Sequence, residues 1–277
     1  MSRILTAVAV LPILIASILI PWLQPLFVAL AAAALALALY EFYLLARKRD
    51  LRPDVVAMFL GSAAFFTIFL FDRPGPGRLM DLLLLSQLTL VVLTIGSLIA
   101  ATLRGEPFER MLTSTGATLL GVIYIAFLGS HLVALRTGFD QPLSADLLSF
   151  FFLVLMGSDA GAYYAGRAIG KHKLAPKISP GKTWEGVVGG VLAGLLMATL
   201  AHFWFFRELQ LKVALPLALV MVVLGIFGDL AESALKRGAG AKDAAKILPG
   251  HGGLLDRLDS LLFNAPLIYY FARAHFG

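Results

Sequence analysis

The chain contains no cysteine. That excludes disulfides and any metal site built on thiolates. It is also poor in charge: Asp, Glu, Lys and Arg make up 14% of its 277 residues, against about 25% in an ordinary soluble domain. No soluble domain, low-complexity linker or internal repeat interrupts it. With 59% apolar residues and a mean hydropathy of +0.86, the missing charge means that most of the surface meets lipid rather than water.

What is present is a series of long uncharged runs. A spanning helix needs about 20 mostly apolar residues, and the sequence offers nine candidates, near 4–22, 25–46, 55–72, 79–101, 113–135, 144–165, 186–205, 212–230 and 257–275. The expected fold is an all-α membrane protein, a polytopic bundle of about nine transmembrane helices. Arg3 followed by an apolar run has the form of a secretory signal, but with so many spans behind it the run is read as an uncleaved first span. With nine spans, the N-terminus and the loops after even-numbered spans share one side, and that side holds 17 of the 23 Lys and Arg residues. The positive-inside rule places this side, and the N-terminus, in the cytoplasm. The formal charge of +6 is thus a matter of topology, and no nucleic-acid partner is expected.

The two halves differ. Residues 1–140 have short loops and helices rich in Ala, Leu, Val and Phe, as a transmembrane scaffold would, with Pro12, Pro21 and Pro25 at kinks or helix ends. Residues 141–277 carry the two longest cytoplasmic polar segments, 166–185 and 231–256. Between these segments, Gly186, Gly190 and Gly194 recur every four residues, a small-residue ridge that lets one helix approach another closely.

Three polar constellations stand in this second half. Asp229, Glu232, Ser233 and Lys236 fall at i, i+3, i+4 and i+7, one face of a helix, with Asp229 at the expected end of the eighth span. A carboxylate at membrane depth turns toward protein or water. In "KDAAKILPGHGGLLDRLDS", residues 242–260, Asp256 and Asp259 share a face at the start of the last span, more acid than helix capping needs. Ahead of them, Gly250, Gly252 and Gly253 flank His251 and leave backbone N–H groups open to an anion. Upstream, Asp159, Tyr163 and Arg167 share a face, followed by Lys171, Lys173, Lys177 and Lys182. "PGKT" at 180–183 imitates a phosphate-binding P-loop, but Pro176 occupies the position of its first glycine. Carboxylates suit Mg²⁺, typically bound by one or two of them together with substrate phosphates, and Lys and Arg suit the phosphate oxygens. The interleaving points to metal-assisted phosphoryl or nucleotidyl transfer.

The run from Ser233 to Asp259, S-x-L-K-R-x4-K-D-x-A-x2-L-P-x-H-G-G-L-x-D-R-L-D, resembles without departure the signature of the phosphatidate cytidylyltransferase family, the CDP-diacylglycerol synthases. "SDAGAYYAGRAIGKHKLAPKISPGKTWEG", 158–186, resembles the family's second landmark. The resemblance implies transfer of CMP from CTP to phosphatidate at the cytoplasmic face of the cell membrane, giving CDP-diacylglycerol and pyrophosphate. It also implies a homodimer that needs Mg²⁺, with a second metal and K⁺ as further candidates. Asp229 and Asp256 match the family's metal-binding aspartates, with Ser233 beside them. Lys242, Asp243 and Asp259 are expected in the catalytic set. Lys236, Arg237, His251, Arg257, Asp159, Arg167, Lys171, Ser179 and Lys182 are expected around the substrates. The sequence leaves open whether Asp243 and Asp259 ligate metal, support it or orient lysines. A CDP-alcohol phosphotransferase would need D-G-x2-A-R and later spaced aspartates, which "DAGAYYAGR" at 159–167 lacks. A transporter is disfavoured because the charges gather at one face, with no matching pair of broken helices.

Overall fold

The computed structural model describes residues 2–105, 107–241 and 253–277. They form α1 (Ser2–Leu19), α2 (Gln24–Arg47), α3 (Val55–Leu70), α4 (Arg78–Leu103), α5 (Phe108–Gly121), α6 (Leu128–Gly138), α7 (Leu143–Ile169), α8 (Trp184–Trp204), α9 (Leu211–Gly238) and α10 (Leu255–Phe276). A π-turn over Val122–Phe127 carries α5 into α6 without a break, so each apolar run read from the sequence falls on one helical rod. Among the described residues, six rods are long and apolar enough to cross a membrane: Pro21–Arg47, Arg78–Leu103, Phe108–Gly138, Leu143–Ile169, Trp184–Trp204 and Leu211–Gly238. The chain is a multi-pass membrane protein.

Two local features depart from the sequence reading. The polar segment after α7 is an antiparallel hairpin, β1 (Lys173–Ala175) and β2 (Ser179–Thr183), with Lys173 opposite Thr183 and Ala175 opposite Ser179. The eighth apolar run, expected to end near residue 230, continues as helix to Gly238. Hydropathy falls at Asp229, but the charged residues beyond it have partners in the fold and the helix persists. It stops where Gly240 takes φ +66°, a left-handed conformation that glycine adopts without a side-chain clash. There the Ala241 N–H donates to the Lys236 carbonyl at 2.9 Å.

Side chains pack in two buried clusters joined by α10. Leu147, Phe151, Val154, Met221 and Val222 from α7 and α9 meet Ile268 and Ala272 of α10. Phe42, Met58, Phe65, Phe69 and Ile125 from α2, α3 and the π-turn meet Leu255, Leu262 and Tyr269 on another face of α10. Facing outward, α4 shows Leu84, Leu88, Val92, Ile95 and Ile99, and α8 shows Val188, Leu192, Leu196 and Phe203. Such faces suit a bilayer, which solvates them as water cannot.

The tightest helix pair is α7 with α8, and its cause is the glycine ridge. A Cβ at Gly186 would come within 2.9 Å of the Ala162 carbonyl, and one at Gly190 within 3.1 Å of the Ser158 carbonyl. Gly161 of α7 answers from the other side: a Cβ there would meet the Gly189 carbonyl at 2.7 Å and collide with Ala193. Gly161→Ala should therefore lower stability by about 1–3 kcal/mol, the usual range for overpacking. Thermal unfolding in detergent or nanodiscs measures it; an unchanged midpoint would mean that the two backbones do not pack this closely.

Candidate active site

The polar residues meet where the β-hairpin, the C-terminal third of α9 and the first turns of α10 converge. Two lysines organise them. Lys182, projected from β2, pairs through Nζ with Oδ2 of Asp229 at 2.6 Å. Lys236, on α9, lies 2.8 Å from Glu232 one turn back on its own helix and 2.7 Å from Asp256 on α10. Its ammonium is thus an interhelical bridge, with Glu232 only 1% exposed beneath it. Ser233 Oγ lies 3.5 Å from Oδ1 of Asp229. The buried Asp259 and the exposed Asp159 lie within electrostatic reach of Asp229 and Lys182.

Local sequence explains why these groups arrive where they do. Thr183 caps α8, its Oγ1 accepting the Gly186 N–H at 3.1 Å, so the strand carrying Lys182 ends rigidly at a helix start. Arg237 Nε donates to the Ile178 carbonyl in the hairpin turn at 3.3 Å. The hairpin is therefore tied to α9 at both Asp229 and Arg237. Outside this junction the hairpin base is closed by His172, whose ring contacts Glu185 at 2.6 Å.

The residues expected around the substrates divide. Asp159, Asp229, Ser233, Lys236, Asp256, Asp259 and Lys182 are brought into one region, and Arg237 braces its edge. Arg167 instead donates to Tyr163 Oη at 2.9 Å on an exposed part of α7. Lys171 is exposed ahead of β1, and Ser179 stands in the β-ladder opposite Ala175. Arg257 is exposed on the first turn of α10. Lys242, Asp243 and His251, with Lys246, Gly250 and Gly252, lie outside the described residues.

Two contributions come from the quiet half of the chain. Glu41 of α2 is fully buried. Its Oε1 accepts the N–H of Leu254 and its Oε2 that of Leu255, each at 2.8 Å. The carboxylate caps α10 at its positive end, immediately ahead of Asp256. Arg49, in the turn that follows α2, donates through Nε to the carbonyl of Gly238, the last residue of α9. One helix thus clasps the end of α9 and the start of α10. The signal for Glu41 was legible: it is the single acidic residue among the first 49, set in an apolar run, where an ionisable group needs a named partner.

The donor set suits a hard divalent cation. Asp159, Asp229, Glu232, Asp256 and Asp259 outnumber the two lysines paired with them, and Glu232 Oε1 is buried with no hydrogen-bond partner among the described residues. Among the described residues, no three Asp, Glu or His side chains converge tightly enough to hold an ion by themselves. Both facts fit Mg²⁺, which takes one or two carboxylates and completes its shell with water and substrate phosphates. They do not fit a closed structural metal site.

A family model described as the cytidylyltransferase family matches residues 1–275 of the chain. The chain belongs to the cytidylyltransferase family. Among individual cytidylyltransferases, it is 44% identical over 129 residues to a phosphatidate cytidylyltransferase of Haemophilus influenzae, covering 45% of each chain. It is 40% identical over 193 residues to that of Brucella suis, covering 65% of each. With the Bacillus subtilis phosphatidate cytidylyltransferase it shares 40% identity over 155 residues, 56% of this chain and 57% of the other. The matched segments thus span 45–65% of the length of these curated relatives.

Glu41→Gln replaces one of the two accepting oxygens by an NH₂ group that cannot accept. Amide exchange at Leu254 and Leu255 should quicken by about tenfold or more, the loss of a buried hydrogen bond to a charged acceptor, while α7 and α8 keep their protection. Equal protection in the variant would mean that Glu41 does not hold the start of α10.

Proposed function

We propose that this chain is a phosphatidate cytidylyltransferase that transfers CMP from CTP to phosphatidate, with its active site at the junction of β2, α9 and α10. The observation that carries this reading is the pair of ion bridges, Lys182 to Asp229 and Lys236 to Glu232 and Asp256. They bring carboxylates and lysines into one region of a membrane protein whose family is that of the cytidylyltransferases, and those groups suit a divalent cation and phosphates respectively. The nine rods are taken as nine spans with the N-terminus in the cytoplasm, which sets this region at the cytoplasmic face of the cell membrane, where CTP is found. The phosphatidate chains stay in the bilayer while the headgroup enters between the helices. A homodimer is part of the same reading and follows from the family resemblance.

In the reaction a phosphate oxygen of phosphatidate attacks the α-phosphorus of CTP. A new P–O–P bond forms, the α–β bridging P–O bond breaks, and its electron pair leaves with pyrophosphate. The nucleophile is already ionised, so no residue need remove a proton from it and no covalent enzyme intermediate is required. The barrier is the mutual repulsion of two anions. Lys182 and Lys236 are placed to exchange part of their ion pairing with carboxylates for phosphate oxygens. Asp229 and Asp256 would hold Mg²⁺, with Ser233 beside them. When bound, the ion supplies charge stabilisation for the phosphate oxygens and the departing pyrophosphate. Glu232, buried under Lys236, fixes the direction of that ammonium. Asp259 and Asp159 stand within electrostatic reach of Asp229 and Lys182.

Purified protein given labelled CTP and phosphatidate should form labelled CDP-diacylglycerol with Mg²⁺ and lose that activity in excess chelator. Asp229→Asn and Asp256→Asn should each reduce turnover by at least 10²-fold, on the scale of lost electrostatic stabilisation at a reacting centre, with insertion into membranes preserved. No labelled lipid from the wild-type protein, or full turnover in both variants, would contradict the assignment. Lys182→Ala should raise KM for a phosphate-bearing substrate by about tenfold through loss of one charged contact. An unchanged KM would leave that lysine a brace for α9.

A further inference from the structure

Tyr124 lies in the π-turn that joins α5 to α6. Its side chain is 6% exposed, and its hydroxyl is buried without a hydrogen-bond partner among the described residues. An uncompensated buried hydroxyl is costly, and a phenolic O–H ordinarily finds a partner when buried. The ring is fixed by an edge-to-face contact with Phe263 of α10, centroids 6.0 Å apart, one turn beyond Asp259. The charges that act on the hydroxyl are, from the strongest, those of Asp259, Glu232, Asp229 and Asp256. The orphaned O–H thus lies within electrostatic reach of the carboxylates of the candidate site, on a helix that supplies none of their charges.

The backbone there is unusual as well. A π-turn widens the helix by one residue and is frequent at functional sites. On the preceding turn, Gly121 allows Phe42 and Met58 to press against the backbone, where a Cβ would lie 2.9–3.0 Å from them. The turn is held from behind by α2 and α3 while the Tyr124 ring packs on Phe263 of α10. Lys182 and Lys236 already have carboxylate partners. Tyr124 offers a donor that is not already spoken for, and a phenol adds it without adding charge.

We infer that Tyr124 is a substrate-binding residue, its hydroxyl donating a hydrogen bond to a non-bridging phosphate oxygen of a bound substrate. The inference rests on the cytidylyltransferase reading of this site. The acceptor chemistry is common to the triphosphate of CTP and the phosphate of the lipid, and kinetics separate them.

The test uses the full-length protein and its Tyr124→Phe variant, with CTP and phosphatidate varied separately. Thermal midpoints are taken without substrate, with CTP alone and with phosphatidate in mixed micelles alone. KM for one of the two substrates should rise about tenfold, the effect of one hydrogen bond to a charged acceptor, and the affected substrate identifies the source of the phosphate. Stabilisation of the protein by that same substrate should shrink, and the substrate-free midpoint should stay the same or rise, because an unpaired hydroxyl has been removed. If both KM values and both ligand-induced shifts match those of the wild type, the inference is overturned while the functional reading stands. A fall in the substrate-free midpoint with unchanged ligand-induced shifts would overturn it as well, by making Tyr124 a packing residue. If the wild-type protein forms no CDP-diacylglycerol, both fall together.

Discussion

The ammonium of Lys236, held between Glu232 and Asp256, is the contact on which the rest of the site depends. Glu232 is almost fully buried, and an isolated ionised carboxylate in such a place is very costly. Two carboxylates on neighbouring helices would also repel one another. A single cation between them removes both problems and forces α9 and α10 into one register. Once that register is set, Asp229 faces the hairpin, where Lys182 meets it, and Asp259 faces the same space. The pairing need not stabilise the fold more than apolar residues would; buried ion pairs often do not. Its consequence is placement: acidic groups stay at the site, compensated and ready to exchange partners.

The bilayer explains the rest of the architecture. With lipid as solvent, apolar burial discriminates weakly between helix faces, and close backbone contact and polar links take over. The glycine ridge of α8 supplies the first against α7. Polar links occur wherever a helix must be fixed. Asp54 caps α3 through the N–H groups of Val56 and Ala57 and pairs with Arg104 at the end of α4. Arg136, 2% exposed, donates to the carbonyls of Ser17 and Ile20 where α1 ends. Asp72 joins Arg273 and Tyr269 on α10. Glu41 and Arg49 do the same at the end that carries the candidate site, so helices outside that site still determine where Asp256 stands.

Much of this was legible in the sequence. Uncharged runs located the helical rods, because the demand for apolar length in lipid is strict. Four-residue glycine spacing marked a close-packed face on α8, though not that its partner is α7. The helical face of Asp229, Glu232, Ser233 and Lys236 was visible too, but not its division: Asp229 turns to the hairpin while Glu232 turns inward beneath Lys236. What could not be read depends on long-range partners. The extension of α9 past Asp229 follows from ion pairs with other elements, and hydropathy sees only the charges. The hairpin at 173–183 is too short to show a strand period. Glu41 caps a helix start 213 residues away, and the π-turn at Tyr124 leaves no mark in composition.

The most direct measurement is an experimental structure of the full chain with Mg²⁺ and a non-hydrolysable CTP analogue in a lipid environment. The triphosphate should lie between Lys182 of β2 and the carboxylates of α9 and α10, with metal density shared by Asp229 and Asp256. A nucleotide bound elsewhere, or Asp229 and Asp256 both remote from the metal, would contradict the central claim.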